Sequence, residues 1–190
     1  MKVACVLGSP RRNGNTAKIV GWVAEELRGM GHEADLINIL DFNIAGYQEC
    51  FACKREPGFP GCAIDDDLAI VTERMEAADS IIFASPLFAW TYPAQLKALI
   101  ARCGSFIYGY PGSPEHASRL ERKPGALLVT CAGPLENNAD LITTSFERLA
   151  AFAKMKNLGS FVFPGCWSPD KLGDDEKSHA RYVAQAITAG

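Results

Sequence analysis

MKVACVLGSPRRNGNT, residues 1–16, is the stretch whose reading decides the fold. Lys2 to Leu7 carries Val3, Ala4, Cys5, Val6 and Leu7, a near-continuous apolar run suited to a strand covered on both faces. Gly8 to Asn15 then turns polar, with Ser9, Asn13, Asn15 and Thr16 as small hydrogen-bonding side chains and Arg11 and Arg12 as cations. From Thr16 the period becomes helical, because Ile19, Val20, Val23, Ala24 and Leu27 share one face. A loop that feeds the start of a helix gathers unpaired backbone N–H groups at the positive end of the helix dipole. Such a place suits a phosphate.

Outward from this unit, apolar runs and helical patterns alternate. Strands are expected at 2–7, 33–38, 79–85, 125–131 and 158–163, and helices at 16–29, 67–78, 93–103, 138–155 and 175–188. Asp65 or Asp66 suits the cap of the second helix, and Pro93 the first turn of the third. The alternation predicts an α/β three-layer sandwich, with a five-stranded parallel sheet between two helical layers and strand order 2-1-3-4-5. Ligands of such sheets sit beyond the carboxyl ends of the strands, where the order reverses. That gathers the loops 8–16, 86–92 and 132–137 around one pocket. Two longer loops, at about 40–66 and 104–124, interrupt the pattern, and loops of that length commonly serve function or subunit contact. With no linker or repeat, residues 1–190 read as one domain.

Composition narrows the classes. Hydrophobic residues make up 48% and charged residues 22%, ordinary values for a globular chain. A net charge of −3 gives no electrostatic support to a nucleic-acid partner. No apolar stretch is long enough for a membrane span, and the short N-terminal apolar run is not a signal peptide, so a cytoplasmic protein is expected. The seven cysteines are odd in number and scattered except for one group, which reads as thiols or ligands rather than a disulfide framework.

The loop at 8–16 lacks both common phosphate signatures. No Gly-Lys-Ser/Thr follows it, and Gly8 and Gly14 stand six apart with Ser9 and Pro10 where the dinucleotide fingerprint has its second glycine. The run GSPRRNGNT instead resembles the flavin-phosphate loop of the flavodoxin-like NAD(P)H-dependent FMN reductases. SPLFAWTYPAQLKALIAR at 85–102 is similar to that family's second flavin loop and the helix after it. CAIDDD at 62–67 resembles a segment of the family's iron–sulfur flavoprotein branch. The likeness runs from residue 2 to about 104.

This resemblance implies bound FMN, NADPH or NADH as electron donor, and a small acceptor such as a quinone or free flavin. It implies a phosphate site from Ser9, Arg11, Arg12, Asn13, Asn15 and Thr16. Arginine contacts to a phosphate are charge-assisted, whereas one of the two arginines is free to face solvent or a nicotinamide phosphate instead. Pro86, Leu87, Phe88, Ala89 and Trp90 would wall the ring, with Thr130, Cys131, Ala132 and Gly133 along its pyrimidine side. The cofactor carries the hydride chemistry, so no catalytic side chain is named. The family's oligomers imply a homodimer or homotetramer, with the two long loops as contact surfaces. His32, His116 and His179 carry no motif and read as surface residues, with His116 the one candidate for substrate contact.

Cys50-x2-Cys53-x8-Cys62 is a second constellation. In the iron–sulfur branch the loop carries four cysteines, and the first position here is Tyr47. A four-iron cluster normally takes four thiolates, so the missing ligand argues against a stable cluster on Cys50, Cys53 and Cys62. Free or partly paired thiols are expected instead, and no metal ligand is assigned. Cys5, Cys103, Cys131 and Cys166 stand in apolar contexts and read as buried small hydrophobes.

Two other classes compete. A non-enzymatic FMN electron carrier would share the fold, but the cationic loop and the long 40–66 segment count against it. Cys5 and Arg11 also show the C-x5-R spacing of a cysteine phosphatase. Against that stand Arg12 where a Ser/Thr is expected, the lack of any Asp-Pro dipeptide, and the apolar setting of Cys5.

Overall fold

The alternation of apolar runs and amphipathic helices builds what it predicts. A computed structural model describes residues 1–55, 61–109 and 112–189. The remaining residues of the expected 40–66 and 104–124 loops, and residue 190, lie outside the described residues. In chain order the main elements are β1 (Lys2–Leu7), α1 (Asn15–Gly29), β2 (Glu33–Asn38), α2 (Leu68–Ala77), β3 (Ser80–Pro86) and α3 (Ala94–Ala101). There follow β4 (Ile107–Tyr108), β5 (Ala117–Ser118), β6 (Pro124–Thr130), α4 (Asp140–Phe152), β7 (Lys156–Phe163) and α5 (Asp174–Ala189).

All pairs in the five-stranded sheet are parallel, in the order β2-β1-β3-β6-β7. Counted over these five strands, that is the expected 2-1-3-4-5 order of a flavodoxin-like fold. The short pair β4–β5 is antiparallel and lies within the 104–124 segment.

Residues of β1 alternate between two cores, which is why its apolar run is nearly continuous. Val3, Cys5 and Leu7 join Ile19, Val20, Val23 and Leu27 of α1 and Val183 and Ile187 of α5 on one face. Ala4 and Val6 join Val71 and Met75 of α2, Leu96 and Leu99 of α3 and Phe146 of α4 on the other. Full burial of a large apolar side chain is worth about 1.5–3 kcal/mol, so Phe146 and Phe163 are substantial anchors of the two layers. Phe146 also meets Phe83 of β3 with ring centroids 5.9 Å apart.

Ends and irregularities differ from the periodic reading for local reasons. Asp66, rather than Asp67 at the cap position, serves the start of α2, its Oδ1 accepting from Leu68 N–H at 3.2 Å. Pro93 stands just before α3 rather than inside its first turn. Helix α4 starts at Asp140, because the turn at Leu135–Ala139 has Asn137 in the left-handed region with φ 55°. It stops at Phe152, and Lys154 (φ 52°) reverses the chain. Strand β7 carries a bulge: its register with β6 passes from Gly125↔Asn157 to Leu127↔Ser160, around Gly159 with φ 97°. Among the described residues no helix is long and apolar enough to cross a membrane.

Candidate active site

Gly8 lets β1 end against α3. A Cβ there would stand 2.6 Å from Leu96 Cβ and Cδ2, so only glycine permits this approach of strand end to helix. Beyond it the chain turns on Ser9, whose Oγ accepts from Arg11 N–H at 3.2 Å, and Gly14 N–H donates to Arg11 O at 3.1 Å. Helix α1 then starts without a side-chain cap and without an acid in its first turn. Its first internal bond runs from Lys18 N–H to Gly14 O. The N–H groups of Asn15, Thr16 and Ala17 are therefore beyond the reach of an in-helix acceptor.

The carboxyl ends of β1, β3, β6 and β7 share one cleft of about 180 Å³. It is lined by Ser9, Arg11, Gly14, Asn15 and Thr16 after β1, and by Pro86, Leu87 and Phe88 at and after β3. Thr130, Cys131 and Ala132 line it from β6, and Cys166 and Trp167 from the turn after β7. The three expected loops do converge. Hydrogen bonds fasten the walls: Thr16 Oγ1 lies 2.7 Å from Thr130 Oγ1, and Leu87 N–H donates to Thr130 O at 2.9 Å. Asn15 Nδ2 donates to Cys166 O at 2.6 Å, while its buried Oδ1 has no partner.

Five residues expected around a flavin stand outside the cleft lining. Arg12 pairs with Asp41 at 2.6 Å, and Asn13 lines a separate shallow surface with Arg12, Ala17 and Lys18. Ala89 and Trp90 form a tight two-residue turn closed by paired bonds between Phe88 and Thr91 (3.0 and 2.9 Å), both with positive φ. Trp90 is 57% exposed, because that turn carries it beyond the strand end. Gly133 lies one residue past the lining, where a Cβ would meet Asn138 Nδ2 at 2.9 Å.

Burial governs the thiols of the cleft and sheet. It raises Cys131, and together with the Glu176 carboxylate and Cys131 it pushes Cys166 up to about 11. Cys5 lies fully inside β1, and burial raises it to about 12, so the C-x5-R spacing offers no nucleophilic thiolate. His116 stacks on Phe152 and bonds Phe152 O at 3.0 Å, away from the cleft. His179 is no isolated surface histidine: it stacks on Phe163 with centroids 4.2 Å apart, and burial lowers its pKa.

Arg102 is the residue that the pattern did not disclose. Its guanidinium is buried at the end of α3 and forks onto both carboxylate oxygens of Asp66, donating also to Ala45 O at 3.1 Å and Cys62 Sγ at 3.2 Å. Asp66 in turn accepts Ala45 N–H at 2.8 Å. The two ends of the cysteine loop are thus tied to one helix. Cys50 is exposed and Cys53, Cys62 and Cys103 are half-buried, so Cys103 departs from the expected full burial. Among the described residues no three His, Cys, Asp or Glu side chains are arranged to hold a metal ion.

A doubly wound parallel sheet of this order, with a cleft at its switch point, defines a flavodoxin-like fold. The chain matches the family described as NADPH-dependent FMN reductase over residues 1–164, and it belongs to that family. An iron-sulfur flavoprotein of Methanosarcina thermophila is 43% identical over 102 residues, covering 54% of this chain and 52% of that protein. Another of Archaeoglobus fulgidus is 31% identical over 133 residues, 70% of this chain and 56% of the relative. The chain thus spans about half the length of the curated relatives it matches. A solved NAD(P)H:quinone oxidoreductase from Methanothermobacter marburgensis has the same fold, with TM-score 0.71 at 22% identity over 100% of this chain and 94% of that one. So does azoreductase AzrA, with TM-score 0.71 at 16% identity over 99% and 100%.

Proposed function

We propose that this protein is an FMN-dependent NAD(P)H oxidoreductase that passes electrons to a small acceptor such as a quinone or a free flavin. The observation that carries the reading is the uncapped N-terminus of α1 opening, beside Arg11, into the shared cleft. The free N–H groups, the Ser9 and Thr16 hydroxyls and the Arg11 guanidinium form a donor set suited to a phosphate dianion. Asn15 Oδ1 needs a donor, and a ribityl hydroxyl is one. Pro86, Leu87 and Phe88 offer apolar surface to a planar ring, beside the polar strand end at Thr130. Family membership and fold support FMN as the group held.

Bound FMN supplies a two-electron carrier, which is the chemistry nicotinamide oxidation requires. The chain's own work is to grip the phosphate, orient the ring and leave one side accessible. Phe88 (44% exposed) and Trp167 (73% exposed) line the cleft and offer aromatic surface on which a flat acceptor or nicotinamide can stack. We place this activity on one domain that works as a homodimer or homotetramer, with the cysteine loop and the 104–124 segment as contact surfaces. Anaerobic mixing of the FMN-loaded protein with NADPH and NADH tests the reading. Bleaching of the flavin band by either supports an oxidoreductase, and no bleaching by both leaves only an electron carrier.

A further inference from the structure

We propose that Cys50 and Cys53 form a thiol–disulfide exchange site, an activity separate from the flavin cleft. The relatives are named for an iron–sulfur group, yet this loop does not fit one. Tyr47 stands where the first thiol is expected, and Cys62 is held by the Arg102 guanidinium. Cys103 does not complete the set either: it is half-buried, and among the described residues no three His, Cys, Asp or Glu side chains are arranged to hold a metal ion. What remains is Cys50-Phe51-Ala52-Cys53, a C-x-x-C pair not committed to a metal among the described residues.

Its local geometry is asymmetric in the way exchange requires. Phe51 (φ 54°) folds the chain back, and a single tight turn over Ala52–Lys54 follows, with Lys54 N–H on Phe51 O at 2.9 Å. Cys50 is exposed to solvent, and Arg55 Nη2 donates to its carbonyl oxygen at 3.5 Å. Cys53 is sheltered, its sulfur packed so closely on Gly104 that a Cβ there would lie 2.9 Å away. Both thiols line one small apolar pocket with Arg102, which is 2% exposed and whose buried Nε has no partner. An exposed attacking thiol, a sheltered resolving thiol and a pocket beside them suit a small dialkyl disulfide as substrate.

In the exchange, the Cys50 thiolate attacks one sulfur of the substrate and forms a mixed disulfide. The first substrate thiolate leaves and takes a proton. Cys53 loses its proton to solvent, attacks Cys50 sulfur and expels the second substrate thiolate, which is protonated in turn. The protein gives up two electrons and two protons, and the substrate becomes two thiols.

The test is equilibration of the purified protein with glutathione and glutathione disulfide in graded ratios, read by intact mass and peptide mapping, with iron and acid-labile sulfide measured on the fresh protein. The expected result is a bond between Cys50 and Cys53 whose fraction follows the ratio. Cys53→Ser should stall at a mixed disulfide on Cys50, and Cys50→Ser should form neither product. A stable bond to Cys62 or Cys103 instead, no Cys50–Cys53 bond at any ratio, or iron and sulfide bound through these cysteines would overturn the proposal. None of these readouts involves flavin, so failure here leaves the cleft reading untouched.

Discussion

The hydroxyls of Thr16 and Thr130, 2.7 Å apart and both buried, join the first turn of α1 to the end of β6 across the floor of the cleft. Removing one partner leaves the other buried and unsatisfied, at about 1–3 kcal/mol. Thr16→Val and Thr130→Val are each expected to lower stability by that amount in urea titrations. The double variant should cost less than the two together, because both polar partners are then gone. Thr16→Ala and Asn15→Ala are expected to weaken FMN binding by a further measurable step, about 1–3 kcal/mol in a flavin titration.

The two adjacent arginines stand in different surroundings. Arg11 lines the cleft, whereas Arg12 is engaged with Asp41 on the surface. Arg11→Ala should weaken FMN binding by about 1.5–3 kcal/mol, the scale of a charged hydrogen bond. Arg12→Ala should change it by less than about 1 kcal/mol, as expected of an exposed ion pair. Equal losses in parallel titrations would show that Arg12 also reaches the phosphate.

Gly8→Ala places a Cβ against Leu96, a fully buried side chain on α3. Overpacking of this kind costs about 1–3 kcal/mol, so the melting temperature should fall. Adding Leu96→Ala should not restore stability, because it opens a cavity and still keeps the Cβ at position 96 that would stand 2.6 Å from the new methyl. Partial recovery of FMN binding on adding Leu96→Gly instead, which removes that Cβ as well, would show the clash as the cause.

Acid should loosen the cysteine loop. Burial works against ionised Asp66, but the Arg102 guanidinium and the Ala45 and Leu68 N–H groups prevail and hold its carboxyl below the usual value. A folded value below the unfolded one contributes stability that is present above the unfolded value, about 3.9, and is lost as pH falls through the folded value. Asp35, held down by its hydrogen bond from Arg74, acts in the same window. Urea titrations from pH 6 down to pH 2 should therefore show the loss below about pH 4. Arg102→Met leaves Asp66 buried without its cation and should cost about 3–5 kcal/mol at pH 7.

Much of this was legible in the sequence, because its strongest signals are periodic. Val3, Cys5 and Leu7 against Ala4 and Val6 announce a strand with two buried faces, and Ile19 to Leu27 a helix with one. The strand–helix alternation then limits the topology, and the topology gathers the loops. Residues without a period were lost. Ile107–Tyr108 and Ala117–Ser118 are too short to show alternation. Cys166 and Trp167 belong to the turn after the last sheet strand; the rule that ligands gather at the carboxyl edge applies to that turn too, and would have found them. Arg102 finds its partner 36 residues away, across a loop, and no local pattern reports such a pair. The resemblance to a flavin loop puts Trp90 at a ring wall, while the positive φ of Ala89 and Trp90 decides where that turn goes.

In the proposed enzyme the segment from Ser9 to Thr16 holds the flavin phosphate. A crystal of the protein soaked with FMN tests it most directly. Phosphate density is expected at the start of α1, within hydrogen-bonding distance of the N–H groups and hydroxyls of that segment and of Arg11. Phosphate density bound elsewhere on the protein, with this turn contacting only solvent, would contradict it.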